Sequence, residues 1–223
     1  MVERQQDGSA GDADYGTIGR DYSVYRQPEP LIASLIHAAL GRARTVLNLG
    51  AGAEKLPFPD RHFDASMATF SVHQWTDLNA GLAEMRRVTR GPVIILSCDP
   101  DLVRRFWLNA YAPEVLAAEA VRYPALDRLG RGLGGHSDTH PVPIPLHCRD
   151  GFNEAYYGRP ERLLEDGARL ACSAWSFVSP ETATRSVDYL RRDIESGIWD
   201  RHYGYLRAMP TFDGSLRLIV SNA

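Results

Sequence analysis

Gly50 and Gly52 follow a short, mainly apolar stretch, Val46 to Leu49. A strand ending in Gly-x-Gly can turn sharply and bring its backbone against a ligand, because a Cβ at either glycine would stand in the way. Open α/β sheets bind nucleotide-like cofactors at such turns, and an ordinary Gly-rich turn is the plain competing reading. His73, just past a second predicted strand, is the candidate catalytic base, since an imidazole titrates near neutrality. A histidine packed beside Trp75 as part of the loop competes with that role. Asp99 ends a third apolar strand and either faces the same sheet edge or caps the next helix. Tyr22 and Arg26 are four apart and share a face if that segment is helical; packing on the domain edge is the alternative. His136, Asp138, His140, His147 and Cys148 gather metal-ligating types, but the Gly and Pro around them argue against the rigid helix that the His136–His140 spacing needs. No metal is expected. Trp107, Tyr111, Tyr156, Tyr157 and Trp175 either fill a core or line an apolar acceptor pocket.

The elements that must position these residues read as alternating strands and helices. Pro30 opens a helix through Leu40, with Leu31, Ile32, Leu35, Ile36 and Ala39 at helical spacing and Gly41 ending it. A strand spans Thr45–Leu49 and a second runs from Phe63 to about Phe70. Thr76 or Asp77 caps a helix through Arg90, and the fully apolar Val93–Leu96 is a central strand. Strand, helix, strand at this spacing implies a parallel sheet with a right-handed crossover. Beyond it, residues 101–135 are helical with breaks, and Gly130, Gly132, Gly134 and Gly135 make a flexible stretch. Val142 to Leu146 alternates with prolines, as a short strand near a sheet edge does. Helices follow over Pro160–Asp166, Thr182–Ile198 and Trp199–Met209, and Ser215–Val220 is a last strand started by Asp213-Gly214.

One junction departs from this order. A Gly-rich cofactor loop should open into a helix whose first amides help to hold the ligand. Here Gly52 leads into Ala53-Glu54-Lys55-Leu56-Pro57-Phe58-Pro59-Asp60, where the prolines allow no more than one helical turn. If the two strands are parallel neighbours, residues 50–62 alone join them; extended, they reach roughly 43 Å, so the crossing is possible. It would leave one sheet face without its covering helix.

The segments Val46–Gly52, Ala53–Asp60 with Phe63-Asp64, and Ser71-Val-His-Gln-Trp75 resemble class I S-adenosylmethionine-dependent methyltransferases of the type 11 group. The resemblance runs in order from about Tyr15 to Asp99. It implies a Rossmann-like α/β fold, a mostly parallel sheet with helices on both faces, an antiparallel last strand, and helical cap elements within 101–135 and 150–210. It implies S-adenosyl-L-methionine as cofactor. Asn48, Gly50, Ala51 and Gly52 would line its methionine and ribose portion. Ala53, Glu54 and Leu56 would lie by the adenine, and Ala68, Thr69 and Phe70 would border the methyl-bearing end. Tyr22, Tyr25 and Arg26 would lie over the amino-acid part, with Arg26 suited to a carboxylate. The family's second and third strands, the second ending in an acidic residue for the ribose, are missing at the junction. Either the piece is lost, which weakens cofactor binding, or residues are omitted there; the retained motifs favour the latter.

Methyl transfer is an in-line displacement for which the protein chiefly positions a nucleophile. The expected function is methylation of a small molecule; a degenerate, non-catalytic relative is the alternative, favoured by the shortened cofactor half. A nicotinamide dehydrogenase would need an acidic residue about 20 positions past the glycines, where Thr69 to His73 stand. A serine hydrolase would need a Gly-x-Ser-x-Gly elbow, which the sequence lacks.

The bulk properties agree. A chain of 223 residues fits one domain, expected over residues 15–223 behind a polar, disordered tail at 1–14. A net charge of −3 and scattered arginines, with Lys55 the one lysine, argue against a nucleic-acid partner. Three widely spaced cysteines, no signal peptide and no membrane-length apolar run point to a cytoplasmic protein. Oligomeric state is not legible.

Overall fold

A computed structural model describes residues 22–50 and 55–222. The expected tail at 1–14 and the candidate cofactor residues Ala51, Gly52, Ala53 and Glu54 lie outside the described residues.

A single helical turn, α1 (Tyr22–Tyr25), precedes α2 (Pro30–Leu40). The Glu29 carboxylate caps α2 by accepting from Leu31 N, and Gly41, at a φ of 60°, ends it. The first predicted strand forms β1 (Val46–Asn48) and the second forms β2 (Ala65–Thr69). Helix α3 (Leu78–Arg87) is capped by Asp77, which accepts from Ala80 N, and stops three residues short of the expected Arg90. Strand β3 (Val93–Cys98) is buried along its whole length. Asp99 takes the second of its two readings: its side chain accepts from Asp101 N and caps α4 (Pro100–Val103). Next come α5 (Pro113–Arg122), α6 (Leu126–Leu133), β4 (His136–Pro141) and β5 (Ile144–Pro145). After 3₁₀ turns lie α7 (Asp166–Leu170), α8 (Pro180–Glu195) and α9 (Ile198–Tyr203), with Gly197 at a φ of 71° setting the boundary between the two expected helices slightly earlier than Ile198/Trp199. The chain closes with β6 (Thr211–Phe212) and β7 (Leu216–Asn222).

The main sheet has the order β1-β2-β3-β7-β4, and β5 pairs with β6 in a separate ribbon. Strands β1, β2 and β3 are parallel, while β7 runs against both β3 and β4. This is the mostly parallel sheet with an antiparallel last strand. Alternation along β3 divides the interior in two. Val93 and Ile95 pack with Leu82, Met85, Leu129 and Leu133 on the face of α3 and α6. Ile94, Leu96 and Cys98 pack with Ile32, Val115 and Leu116 on the face of α2 and α5.

Two readings need correcting. Residues 136–141 form strand β4, which their exposed polar side chains conceal, since it is an edge strand paired only to β7. Gly130 and Gly132 are not flexible linkers but part of α6. A Cβ on the first would come within 2.5 Å of Ser137 Oγ, and one on the second within 2.5 Å of Leu82 Cδ1, so they permit close packing onto β4 and α3.

The short junction is as the sequence implies. β1 and β2 are direct parallel neighbours, and no helix lies between them among the described residues. The segment from Leu56 to Asp60 is instead strapped to α3. The Glu84 carboxylate accepts from Leu56 N at 2.8 Å; Arg87 Nη1 donates to Phe58 O at 3.0 Å and Asp60 Oδ1 at 2.6 Å. Among the described residues the outer edge of β1 carries no strand, and Val46 is 38% exposed.

Candidate active site

The tips of β1 and β2 are joined by the loop that follows β2. Leu49 N donates to Met67 O at 2.9 Å, holding the strands in register to their ends. Ser71 Oγ donates to Leu49 O at 3.0 Å, and Trp75 Nε1 donates to Gly50 O at 3.1 Å. Both ends of the Ser71–Trp75 motif therefore fix the carbonyls that lead into the glycine turn. Trp75 itself lies against Gly81 of α3, where a Cβ would meet its ring at 2.6 Å. Phe70 turns the chain out of β2 with a φ of 49°, a left-handed conformation that is costly for an aromatic residue and held here by Phe70 N donating to Leu96 O at 3.0 Å. A Cβ built on Gly50 would meet no described heavy atom within 4 Å.

Beside these tips lies a small open cleft of about 70 Å³. Tyr22, Arg26, Phe70 and His73, all expected at the site, line it together. Its inner wall comes from residues that the motifs did not indicate: Glu119 and Arg122 of α5, Tyr123, Phe152, Asn153 and Cys172. Nothing in their spacing marks them, because three separate segments of the helical half converge here.

The remaining expected residues are placed elsewhere. Tyr25 turns toward α7, donating to Glu165 Oε2 at 3.3 Å, with the Arg162 guanidinium 5.6 Å from its ring centroid. Asn48 is exposed on the sheet edge, Ala68 is buried in the core, and Thr69 is partly buried at the end of β2. Leu56 belongs to the strap on α3. Trp107, Tyr111, Tyr156, Tyr157 and Trp175 are all core residues. No metal-binding group of histidine, cysteine or carboxylate occurs among the described residues, although His136 Nε2 and Asp138 Oδ1 lie 3.1 Å apart on β4.

Charge in the cleft is arranged in pairs. Arg26 donates from Nε to Asp150 Oδ1 and from Nη2 to Asp150 Oδ2, the latter at 3.3 Å, and from Nη1 to Ala171 O at 3.4 Å. Burial works against the guanidinium charge, but the charge and hydrogen bonds of Asp150 overcome it and raise its pKa. His73 is the opposite case. Burial, reinforced by the charges of Arg122 and Arg26, holds it down at about 3, so the ring is neutral at any working pH. Its Nδ1 is buried without a hydrogen-bond partner, and its ring meets Tyr123 edge-on at 4.9 Å. Glu119 accepts from Asn153 Nδ2 at 2.8 Å. Burial raises the pKa of this carboxyl, and Asn153 and the two arginines pull it back only in part.

Comparison with known proteins agrees with this geometry. The family model for the methyltransferase domain matches residues 32–95, from α2 to β3. The demethylmenaquinone methyltransferase of Mycobacterium sp. (strain KMS) is 41% identical over 156 residues, which are 70% of this chain and 60% of that protein. The ubiquinone/menaquinone biosynthesis C-methyltransferase of Cupriavidus necator is 31% identical over 90 residues, 40% of this chain and 33% of that one. The chain thus spans between a third and three fifths of the length of these two relatives. A crystal structure of a putative methyltransferase from an antibiotic biosynthesis pathway of Anabaena variabilis shares the fold, with a TM-score of 0.83 at 22% identity, covering 90% of this chain and 100% of that one. The strand order, the motifs at the strand tips and the matched segment agree: residues 32–95 match the methyltransferase domain, and the chain shares the Rossmann-like methyltransferase fold.

Proposed function

We propose that this protein transfers a methyl group from S-adenosyl-L-methionine to a small-molecule acceptor. The observation that carries the proposal is the strand tip beside the cleft, where Trp75 holds the Gly50 carbonyl in place and a Cβ on Gly50 would meet no described atom within 4 Å. The residues present fit the cofactor at its methionine end. The glycine turn permits a close approach, and the cleft beside it is walled by Tyr22, Arg26 and Phe70. Asn48, Gly50, Thr69 and Phe70, with Ala51 and Gly52, would hold the methionine and ribose portion; Ala53, Glu54 and Leu56 would lie along the adenine. Ala68 acts from beneath, by filling the core under the β2 tip. Tyr22 and Arg26 would cover the amino-acid end, with Tyr25 of α1 anchoring that segment through its hydrogen bond to Glu165.

Bound there, S-adenosylmethionine supplies an electrophilic sulfonium methyl group. The protein's part is to orient an acceptor atom in line with that methyl and to keep water from the cleft. His73, neutral and with Nε2 accepting from Gln74 Nε2 at 3.4 Å, carries its hydrogen on the unpartnered Nδ1 and so offers a hydrogen-bond donor at the cleft wall. The names of the mycobacterial and Cupriavidus relatives point to quinone-ring acceptors, and the aromatic side walls Phe70, Phe152 and Tyr123 suit a flat ring. Three free, buried cysteines support a reducing compartment such as the cytoplasm, and no helix among the described residues is long and apolar enough to cross a membrane.

One observation favours a second reading, a non-catalytic relative with an impaired cofactor site: among the described residues β1 is the sheet edge, without the neighbouring acidic strand end that the resemblance implies for the ribose. Calorimetric titration of the full chain with S-adenosylmethionine and with S-adenosylhomocysteine decides between them. The enzyme reading expects saturable heat at one site per chain. Absence of heat with both would overturn it.

A further inference from the structure

The inner wall of the cleft contains a carboxylate whose orientation is determined by its neighbours. Trp175 Nε1 donates to Asn153 Oδ1 at 3.0 Å. An indole N–H can only donate, so the Asn153 oxygen must face Trp175 and its amide nitrogen must face the other way. That nitrogen donates to Glu119 Oε2 at 2.8 Å. Asn153 and Trp175 are buried, with 2% and 7% of their surface exposed, so this relay cannot swing into solvent. Glu119 is thereby held as an acceptor. Its other oxygen, Oε1, carries no hydrogen bond to any described residue, and the side chain lines the cleft. The cation closest in kind, Arg26, is already committed to Asp150. Arg122, which lines the same cleft, donates to Ser173 Oγ at 3.5 Å and stacks over Phe177 at 4.0 Å.

A half-buried carboxylate oxygen that faces a cleft and has no described protein donor is available to a ligand that donates to it. We propose that Glu119 is the acceptor-recognition residue, taking a hydrogen bond from a hydroxyl on an aromatic methyl acceptor that lies against the cleft wall lined by Phe70, Phe152 and Tyr123, with Asn153 as the positioning residue. This rests on the methyltransferase reading and names its substrate class: a hydroxylated aromatic ring rather than its keto or ether form. The raised pKa of the carboxyl fits the role, because a better proton acceptor holds a phenolic hydrogen more firmly.

The test uses 1-naphthol and 1-methoxynaphthalene as probes, titrated by calorimetry into the full chain with and without S-adenosylhomocysteine. They differ by one hydrogen-bond donor. A hydrogen bond to a charged group implies roughly a tenfold or greater preference for 1-naphthol in the native protein. In Glu119→Gln the preference should shrink to less than about threefold, while S-adenosylhomocysteine affinity stays within about twofold. Circular dichroism and the melting curve check that the variant folds; if it does not, the comparison of the two probes on the native chain still decides. Equal binding of the probes, no binding of 1-naphthol, or an unchanged preference in the variant overturns the assignment. A variant that loses S-adenosylhomocysteine instead would move Glu119 to the cofactor and overturn it too. Failure of S-adenosylhomocysteine to bind the native chain is a separate result: it removes the methyltransferase reading without touching the probe comparison.

Discussion

Glu154 sits next to the relay residue Asn153 and ties that loop to the start of β7. Ser215 N donates to Glu154 Oε1 at 3.0 Å and Oε2 at 2.9 Å, and Ser215 Oγ lies 2.9 Å from Oε2. The residue is 6% exposed, and a Cβ on Gly214 would meet its carboxylate at 2.6 Å, so water has no room to enter. Burial pushes the carboxyl up to about 7 from its ordinary 4.5, Glu119 adds repulsion, and the Ser215 hydrogen bonds and Arg217 offset only part of this. The sign follows directly. Between pH 4.5 and 7 the folded chain keeps a proton that the unfolded chain has released, so stability is fully present below 4.5 and falls as pH rises through 7. The difference between the two values corresponds to ~3 kcal/mol, lost across that window and level above it. Glu154→Gln removes the titration and keeps an acceptor for Ser215. Urea unfolding of both proteins at steps from pH 4.5 to 8.5 gives the stability gap at each pH. Any constant offset from the substitution drops out, as do the carboxylates common to both, such as Asp64 and Glu84, which their partners hold at about 2. The native protein should lose ~3 kcal/mol relative to the variant between the two ends of the range. A gap flat to about 0.5 kcal/mol, or one that grows with pH in favour of the native chain, would refute the argument.

Three further outcomes are expected. Trp75→Phe deletes the donor to Gly50 O and should weaken S-adenosylhomocysteine about fivefold by calorimetry, as one lost hydrogen bond of ~1 kcal/mol implies. Gly81→Ala drives a methyl group into the Trp75 ring and should cost about 1–3 kcal/mol, seen as a lowered melting temperature. Asp150→Asn leaves the largely buried Arg26 without its counter-charge and should cost about 3 kcal/mol in urea unfolding. The exposed pair Arg131–Asp127 is its control, where Asp127→Asn should change stability by less than about 0.5 kcal/mol.

Much of the framework was readable from the chain alone because it depends on local rules. Pro30 and Gly41 bound α2, Asp77 caps α3, and the unbroken apolar run Val93–Leu96 can only be a strand covered on both faces. The glycine turn, its order relative to the Ser71–Trp75 motif and the missing crossover helix are likewise matters of sequence spacing. The inner cleft wall is not. Glu119, Asn153 and Trp175 come from a helix and two irregular segments whose separation along the chain carries no periodic signal, and only the packing of the helical half brings them within hydrogen-bond reach. The same holds for Arg26, whose type suggests a carboxylate ligand and whose bonded carboxylate is Asp150, 124 residues away. Strand β4 and the glycines of α6 were hidden for a related reason: an exposed edge strand needs no apolar alternation, and a glycine chosen for close approach looks, in sequence, like one chosen for flexibility. Local chemistry specifies the elements and the turn between them; which side chains meet across the cleft is decided by tertiary packing, because hydrogen bonds there join groups that no local rule relates.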